Sequence, residues 1–250
     1  MIILWLLKKW QSLSYNVNIE DVGLRDYEEL WNYQAEIFRN LIERKTASGK
    51  GQEKDPEESA GTLIFVEHPH VYTLGKNGSD NNLLLDLIQL RAKEARFYRT
   101  DRGGDITYHG PGQIVGYPIF DLERLNIGLK EYIHRLEEAV IRTVADFNLT
   151  ASRLEGGTGV WLEPGIRGRE RKICAIGVRA SKYVTMHGFA FNVNTDLAYF
   201  DYINPCGFKD KGVSSLEKEL GSRQDMDIVK GILKRQLQAL FDISWTNIKR

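Results

Sequence analysis

Cysteine is scarce in this chain: Cys174 and Cys206 are the only two thiols in 250 residues. That density excludes the disulfide framework of a small secreted domain and fits a reducing compartment, although a single Cys174 to Cys206 bridge stays open on sequence grounds. An excess of one charge is also lacking. The 34 Lys and Arg balance 34 Asp and Glu, so nothing global points to nucleic acid or to an anionic membrane. Long apolar runs are missing as well. The N-terminal Met-Ile-Ile-Leu-Trp-Leu-Leu is too short to span a bilayer. It lacks the leading positive charge and cleavage site of a signal peptide and the Arg/Ser-rich character of a transit peptide. A cytoplasmic protein is expected, with an N-terminal strand or packing segment. There is no repeat period. Clustered metal ligands are absent too: His68 and His70 flank Pro69 and could face one side of a strand, but no further Cys or His stands at zinc spacing. They are read as structural, and no metal is expected.

What is present is an ordinary globular composition, 42% apolar and 27% charged, in a chain long enough for one sizeable domain, taken as 1–250. The stretch from Lys45 to Gly61 is polar, Gly/Ser-rich and almost devoid of apolar residues, which predicts a mobile loop. Before it, Asp26 is a plausible N-cap, and Tyr27, Leu30, Trp31, Ile37, Phe38 and Leu41 follow at helical spacing. Leu129, Ile133, Leu136, Val140, Val144 and Phe147 predict a second helix, with Glu131/Arg135 and Glu138/Arg142 as i,i+4 pairs on its outer face. A last helix is expected over Met226 to Phe241, followed by a polar tail. Strands are expected at Thr62 to Glu67, Gln113 to Leu122, Gly159 to Glu163, Lys172 to Ala180 and Tyr183 to Asn194. Helices and strands mix without regular alternation, which predicts an α+β fold with a mixed, largely antiparallel sheet.

Two segments carry chemistry. In Thr107 to Gln113, directly after Asp101 to Gly104, two glycine turns bracket Arg102, Tyr108 and His109. Gly103, Gly104, Gly110 and Gly112 let backbone approach a ligand, and Pro111 stiffens the loop. A tight turn between strands is the plainer reading, and the flanking polar side chains favour a site. The second segment, Ile203 to Phe208, sets Cys206 between a rigid Pro and a permissive Gly, outside any apolar run. Cys174, inside Lys172 to Val178, sits where a small structural hydrophobe belongs. The run Arg167 to Lys172 is basic within a neutral protein and is a candidate for docking an acidic partner. His187 is read either as a core hydrogen-bonding residue or as part of the site.

RGGDITYHGPGQIVGYPIFDL from Arg102, KICAIGVR from Lys172, TMHGFAFNVNTDLAYFDYINPCG from Thr185 and HPHVYTLG from His68 together resemble the lipoyl(octanoyl) transferase family. In order and spacing the match covers roughly residues 60 to 220, which makes it specific. The resemblance implies the fold of the biotin and lipoate protein ligases and a cofactor-free acyltransferase. Its donor would be octanoyl-acyl carrier protein, and its acceptors the lipoyl domains of 2-oxoacid dehydrogenase complexes and the H protein of glycine cleavage. It carries over Cys206 as nucleophile and Lys172 as its charged partner. The acyl pocket would be formed by Arg102, Gly103, Gly104, Asp105, Ile106, Thr107, Tyr108 and His109, by Ala175, Ile176 and Gly177, and by Gly188, Phe189 and Ala190. Arg102 and His109 could orient the thioester carbonyl, and amides after Pro205 are candidate oxyanion donors. Three alternatives remain at this point. One is an ATP-dependent lipoate or biotin ligase, against which Asp105 and Cys206 speak. The others are a Cys-dependent amidotransferase between lipoyl-type domains and a non-catalytic binding module.

Overall fold

A computed structural model describes residues 14–47, 59–204 and 211–247. The N-terminal apolar run and residues 48–58 of the polar stretch lie outside them. In chain order the strands are β1 (Tyr15–Leu24), β2 (Gly61–Glu67), β3 (Val71–Leu74), β4 (Arg96–Arg99), β5 (Ile106–His109) and β6 (Gln113–Phe120), then β7 (Ala151–Leu154), β8 (Gly157–Leu162), β9 (Arg171–Ser181), β10 (Val184–Asn192), β11 (Gly212–Val213) and β12 (Ile243–Asn247). Among the described residues the large sheet runs β12-β1-β2-β6-β10-β9-β8-β7, with β11 added beside β9, and a small sheet runs β4-β3-β5. From β2 through β7 every neighbouring pair is antiparallel, while β12, β1 and β2 run parallel. The architecture is the expected α+β, with a mixed and mostly antiparallel sheet.

The helices are α1 (Tyr27–Ala47), α2 (Leu87–Ala92), α3 (Leu129–Ala145), α4 (Leu216–Leu220) and α5 (Met226–Phe241). Asp26 caps α1 as its spacing predicts, accepting from Glu28 N at 2.9 Å and Glu29 N at 3.3 Å. The outer face of α3 carries both expected ion pairs, Arg135–Glu131 at 2.7 Å and Arg142–Glu138 at 2.9 Å. The inner face of α3, through Tyr132, Leu136 and Val140, packs with Leu233, Leu237 and Phe241 of α5 against Phe120 and Phe191 on one face of the sheet. On the other face, Leu30, Phe38 and Leu41 of α1 cover Ile64, Val115, Ile119 and Ala190. The small sheet has a separate core of Tyr72, Leu74, Leu90, Tyr108 and Ile203.

Several expectations are corrected. The polar stretch does not begin at Lys45: α1 continues through Ala47, because Lys45 Nζ is held by Asp121 at 2.7 Å and Glu123 at 3.0 Å. The polar tail after α5 holds a strand that was not expected, Ile243–Asn247, which pairs in parallel with β1. Gln113 to Leu122 stops being a strand at Phe120, where Asp121 Oδ1 turns the chain by accepting from Glu123 N at 3.0 Å. His68 and His70 lie in the connection between β2 and β3, not in a strand. No helix among the described residues is long and apolar enough to cross a membrane.

Candidate active site

The turn before β5 is built as a clamp. Arg102 is 7% exposed. Its Nη2 donates to Thr73 O at 2.5 Å and Thr73 Oγ1 at 3.0 Å, and its Nη1 to Gly103 O at 3.1 Å. The guanidinium thereby fastens the turn to β3. Gly103 N donates to Val178 O at 2.9 Å, docking the same turn on β9. The alternation of β5 then separates its side chains. Tyr108 points into the small-sheet core, with its hydroxyl 2.7 Å from His70 Nδ1 and its ring stacked 4.9 Å from Tyr199. Thr107 and His109 face a cavity.

The Gly-Pro-Gly segment proves to be both a turn between strands and the neighbour of that cavity. Gly112 has φ 79°, and a Cβ there would lie 2.3 Å from Asn194 O. Its N–H donates to Glu67 Oε2 at 2.8 Å and its carbonyl accepts from Asn194 N at 2.8 Å. Gln113 Nε2 donates to Asn192 Oδ1 at 2.8 Å, which turns its Oε1 towards His109 Nδ1, also at 2.8 Å. His109 is therefore a neutral Nδ1–H tautomer, and burial lowers its pKa to about 3. His68 is similarly held. Its Nδ1 donates to Arg25 O and its Nε2 accepts from Tyr117 Oη, both at 2.8 Å, and burial lowers its pKa to about 4. Among the described residues no group of three His, Cys, Asp or Glu is placed to hold a metal ion.

The cavity, about 760 Å³, lies between the β6-β10-β9 face of the large sheet and the small sheet. A β-bulge decides what β9 shows to it. Val160 pairs with Cys174 and Trp161 with Lys172, so Ile173 is an extra residue. Ile173 and Cys174 both enter the core, while Lys172, Ala175 and Gly177 line the cavity. Lys172 Nζ donates to Thr158 O at 3.1 Å and lies 4.6 Å from the centre of the Trp161 ring. Burial raises the pKa of the Cys174 thiol strongly, against the opposing charge of Lys172, which matches its structural reading.

Of the expected pocket residues, Arg102, Gly104, Asp105, Ile106, Thr107 and His109 line the cavity. So do Ala175, Ile176 and Gly177 of β9 and Gly188, Phe189 and Ala190 of β10. Gly103 and Tyr108 do not, the first because it is docked on β9 and the second because its ring turns the other way. Gly188 is also where β10 lies close against β6: a Cβ there would lie 2.1 Å from Gly116 O. Cys206 and the amides after Pro205 lie outside the described residues; Asn204 and Lys211, to either side, both line the cavity. His187 takes both of its readings. It lines the cavity and donates from Nε2 to Asp101 Oδ1 at 2.7 Å, on left-handed backbone at φ 61°. Asp101 is also paired with Arg179. Its carboxyl is held below the usual range, first by the His187 hydrogen bond.

Within the basic run, Arg171 is gripped by Glu219 at 2.6 Å and by Glu163, Arg169 by Glu163 at 2.5 Å, and Glu170 by Lys211 at 3.5 Å, while the Arg169 side chain stays exposed. Residues that no motif marked also line the cavity, among them Tyr27, Thr158 and Trp161, as does Tyr117 from within the run that starts at Arg102. Tyr27 carried only its place at the start of an apolar helix face.

A mixed sheet with two helices on one face, and on the other a long helix beside a small sheet and a cavity, is the architecture of the lipoate protein ligases. A bipartite lipoate protein ligase from Thermoplasma acidophilum superposes with a TM-score of 0.64 at 17% identity, over 94% of this chain and 88% of that one. Lipoate-protein ligase A bound with ATP gives 0.64 at 15% identity, over 95% and 90%. The chain belongs to the lipoyl protein ligase A/B catalytic domain family, whose pattern matches residues 26–238. Among its relatives, the octanoyltransferase of Cytophaga hutchinsonii is 50% identical over 237 residues, 95% of this chain and 97% of that protein. The octanoyltransferase of Bacteroides fragilis is 57% identical over 219 residues, 88% and 95% respectively.

Proposed function

We propose that this chain is an octanoyltransferase that takes the acyl group from octanoyl-acyl carrier protein onto Cys206 and passes it to a lysine of a lipoyl domain. The observation that carries the reading is Lys172, turned by the β9 bulge into a cavity that Asn204 and Lys211 also line. In sequence Cys206 follows Asn204 by two residues and precedes Lys211 by five. An ammonium beside the thiol stabilises its thiolate. The thiolate attacks the thioester carbonyl, and the phosphopantetheine thiolate leaves with a proton from Lys172. Lys172, now neutral, takes the proton of the acceptor amine as that amine attacks the acyl-enzyme and Cys206 leaves as thiolate. Each bond broken is matched by one formed, and the ion pair is restored. Thiol exchange followed by amide formation runs downhill without ATP. The acceptors in this reading are the lipoyl domains of 2-oxoacid dehydrogenase complexes and the glycine-cleavage H protein. A reducing cytoplasm keeps the nucleophile as a thiol.

The test is intact mass after incubation with octanoyl-acyl carrier protein without ATP, then addition of an apo lipoyl domain. A hydroxylamine-sensitive octanoyl adduct that moves to the domain, and that Cys206→Ser abolishes, is expected. Modification only from free octanoate with ATP would make the chain a ligase, and an adduct formed only from an octanoylated domain would make it an amidotransferase.

A further inference from the structure

We infer that a wall of stacked aromatic rings at the end of the cavity remote from Lys172 sets the length of acyl chain the protein accepts, with Ala190 as the midpoint of the slot. This rests on the octanoyl-transfer reading and deepens it. The floor of the slot is a row of small side chains across three strands, Ala175 paired with Ala190 and Ala190 with Val115. The next row on the same face starts with Gly177 paired to Gly188. Here the slot is closed. A Cβ at Gly177 would lie 2.8 Å from Gly103 O and 3.3 Å from the Arg102 side chain, so the clamped turn rests directly on the strand. Level with Gly188, one residue on from the Phe189–Gly116 pair, stands Tyr117.

Tyr117 belongs to a cluster of four buried rings. Tyr27 stacks on His109 with ring centres 6.0 Å apart and 14° between planes, and His68 lies 5.2 Å from Tyr27 and 5.9 Å from Tyr117. Tyr27, His109 and Tyr117 line the cavity, and His68 backs them. Their hydrogen bonds to Gln113, to Arg25 and between His68 and Tyr117 fix the rings in place. Such a wall is rigid and uncharged at neutral pH, which suits a terminal methyl group.

The dimensions agree with eight carbons. At about 3.3 Å per residue, less the one step taken by the bulge, about 13 Å of strand separates Lys172 from Gly177. An extended octanoyl chain spans about 9 Å from carbonyl to methyl carbon, leaving about one van der Waals contact at its tip. Two further methylenes would run into the rings.

The experiment measures kcat/KM for hexanoyl, octanoyl, decanoyl and dodecanoyl groups on the same acyl carrier protein, with an apo lipoyl domain as acceptor. The unaltered protein should peak at octanoyl. Ala190→Val, which puts two methyl groups into the middle of the slot, should lower the octanoyl-to-hexanoyl ratio about tenfold or more, since each methylene kept from an apolar site is worth about fourfold. Tyr117→Leu should raise the decanoyl-to-octanoyl ratio by a similar factor. If Tyr117→Leu does not fold, Ala190→Val decides alone. Folded variants whose ratios stay within about twofold of the parent would overturn the assignment of the wall while leaving the transferase reading intact. An unaltered protein that transfers no acyl chain of any length would overturn both.

Discussion

The two cysteines of this chain do different work, and the difference is chemical before it is positional. Cys174 is fully buried, its Sγ 3.6 Å from the Ala175 carbonyl oxygen, and burial holds it as a thiol. Iodoacetamide at pH 8 should leave Cys174 unmodified in the native protein and label it after unfolding in guanidinium, read by peptide mass. Native labelling would show that the β9 bulge does not turn it inward. Cys174→Ser should keep transfer activity and cost about 1–3 kcal/mol in chemical denaturation, because a hydroxyl replaces a thiol in an apolar site. Lys172→Ala should slow both half-reactions and shift the alkylation profile of Cys206 to higher pH. An unmoved profile would remove Lys172 from the proposed pair. That Lys172 and Cys174 take opposite faces was not legible in the sequence. Strict alternation would put both on one side, and only the extra residue Ile173 separates them.

At the scale of elements, the parts with strong periodicity were legible and those held by pairing were not. The faces of α3 and α5 follow from apolar residues three and four apart, and the start of α1 follows from its Asp26 cap. β4, half exposed with an arginine at each end, and β12, five residues after an abrupt left-handed turn at Asp242, carry no such pattern. They are strands because β3 and β1 offer edges to pair with. The same distinction sorts the glycines. Gly231 sits inside α5 with nothing within 4 Å of an added Cβ and no positive φ. Gly231→Ala should therefore stabilise the protein by about 1 kcal/mol, raising the thermal midpoint by about 2–4 °C. Gly188→Ala should do the reverse, costing roughly 3 kcal/mol or more, since its Cβ must push β10 away from the Gly116 carbonyl. A neutral Gly188→Ala in thermal denaturation would mean that β6 and β10 adjust at this crossing more easily than a close-packed sheet allows.

For the molecule as a whole, the histidines that shape the site govern stability against acid. His68, His109 and His187 are buried, and desolvation lowers all three, to about 4 for His68 and about 3 for His109. In the unfolded chain each would bind a proton near pH 6.5. Between pH 6.5 and 4 the unfolded state thus holds more protons than the native state, so stability rises with pH across that window and is lost as pH falls. His68 and His109 together set a slope of roughly 3 kcal/mol per pH unit in the middle of the window, a large share of the ~5–15 kcal/mol that holds a typical domain together. Asp101, lowered by its His187 partner, adds a loss of the same sign only below the ordinary carboxylate range. Guanidinium unfolding at pH 7.5, 6.0, 5.5 and 5.0 should therefore show little change above pH 7 and a steep fall below 6. His68→Gln, which removes one titrating ring from the wall, should take about 1.4 kcal/mol per pH unit off that slope whatever it does to stability at pH 7.5. A slope that stays flat down to pH 5, or one unchanged by His68→Gln, would mean that these imidazoles accept protons in the folded protein. The ring wall would then be a charged surface, and an apolar chain terminus would not settle against it.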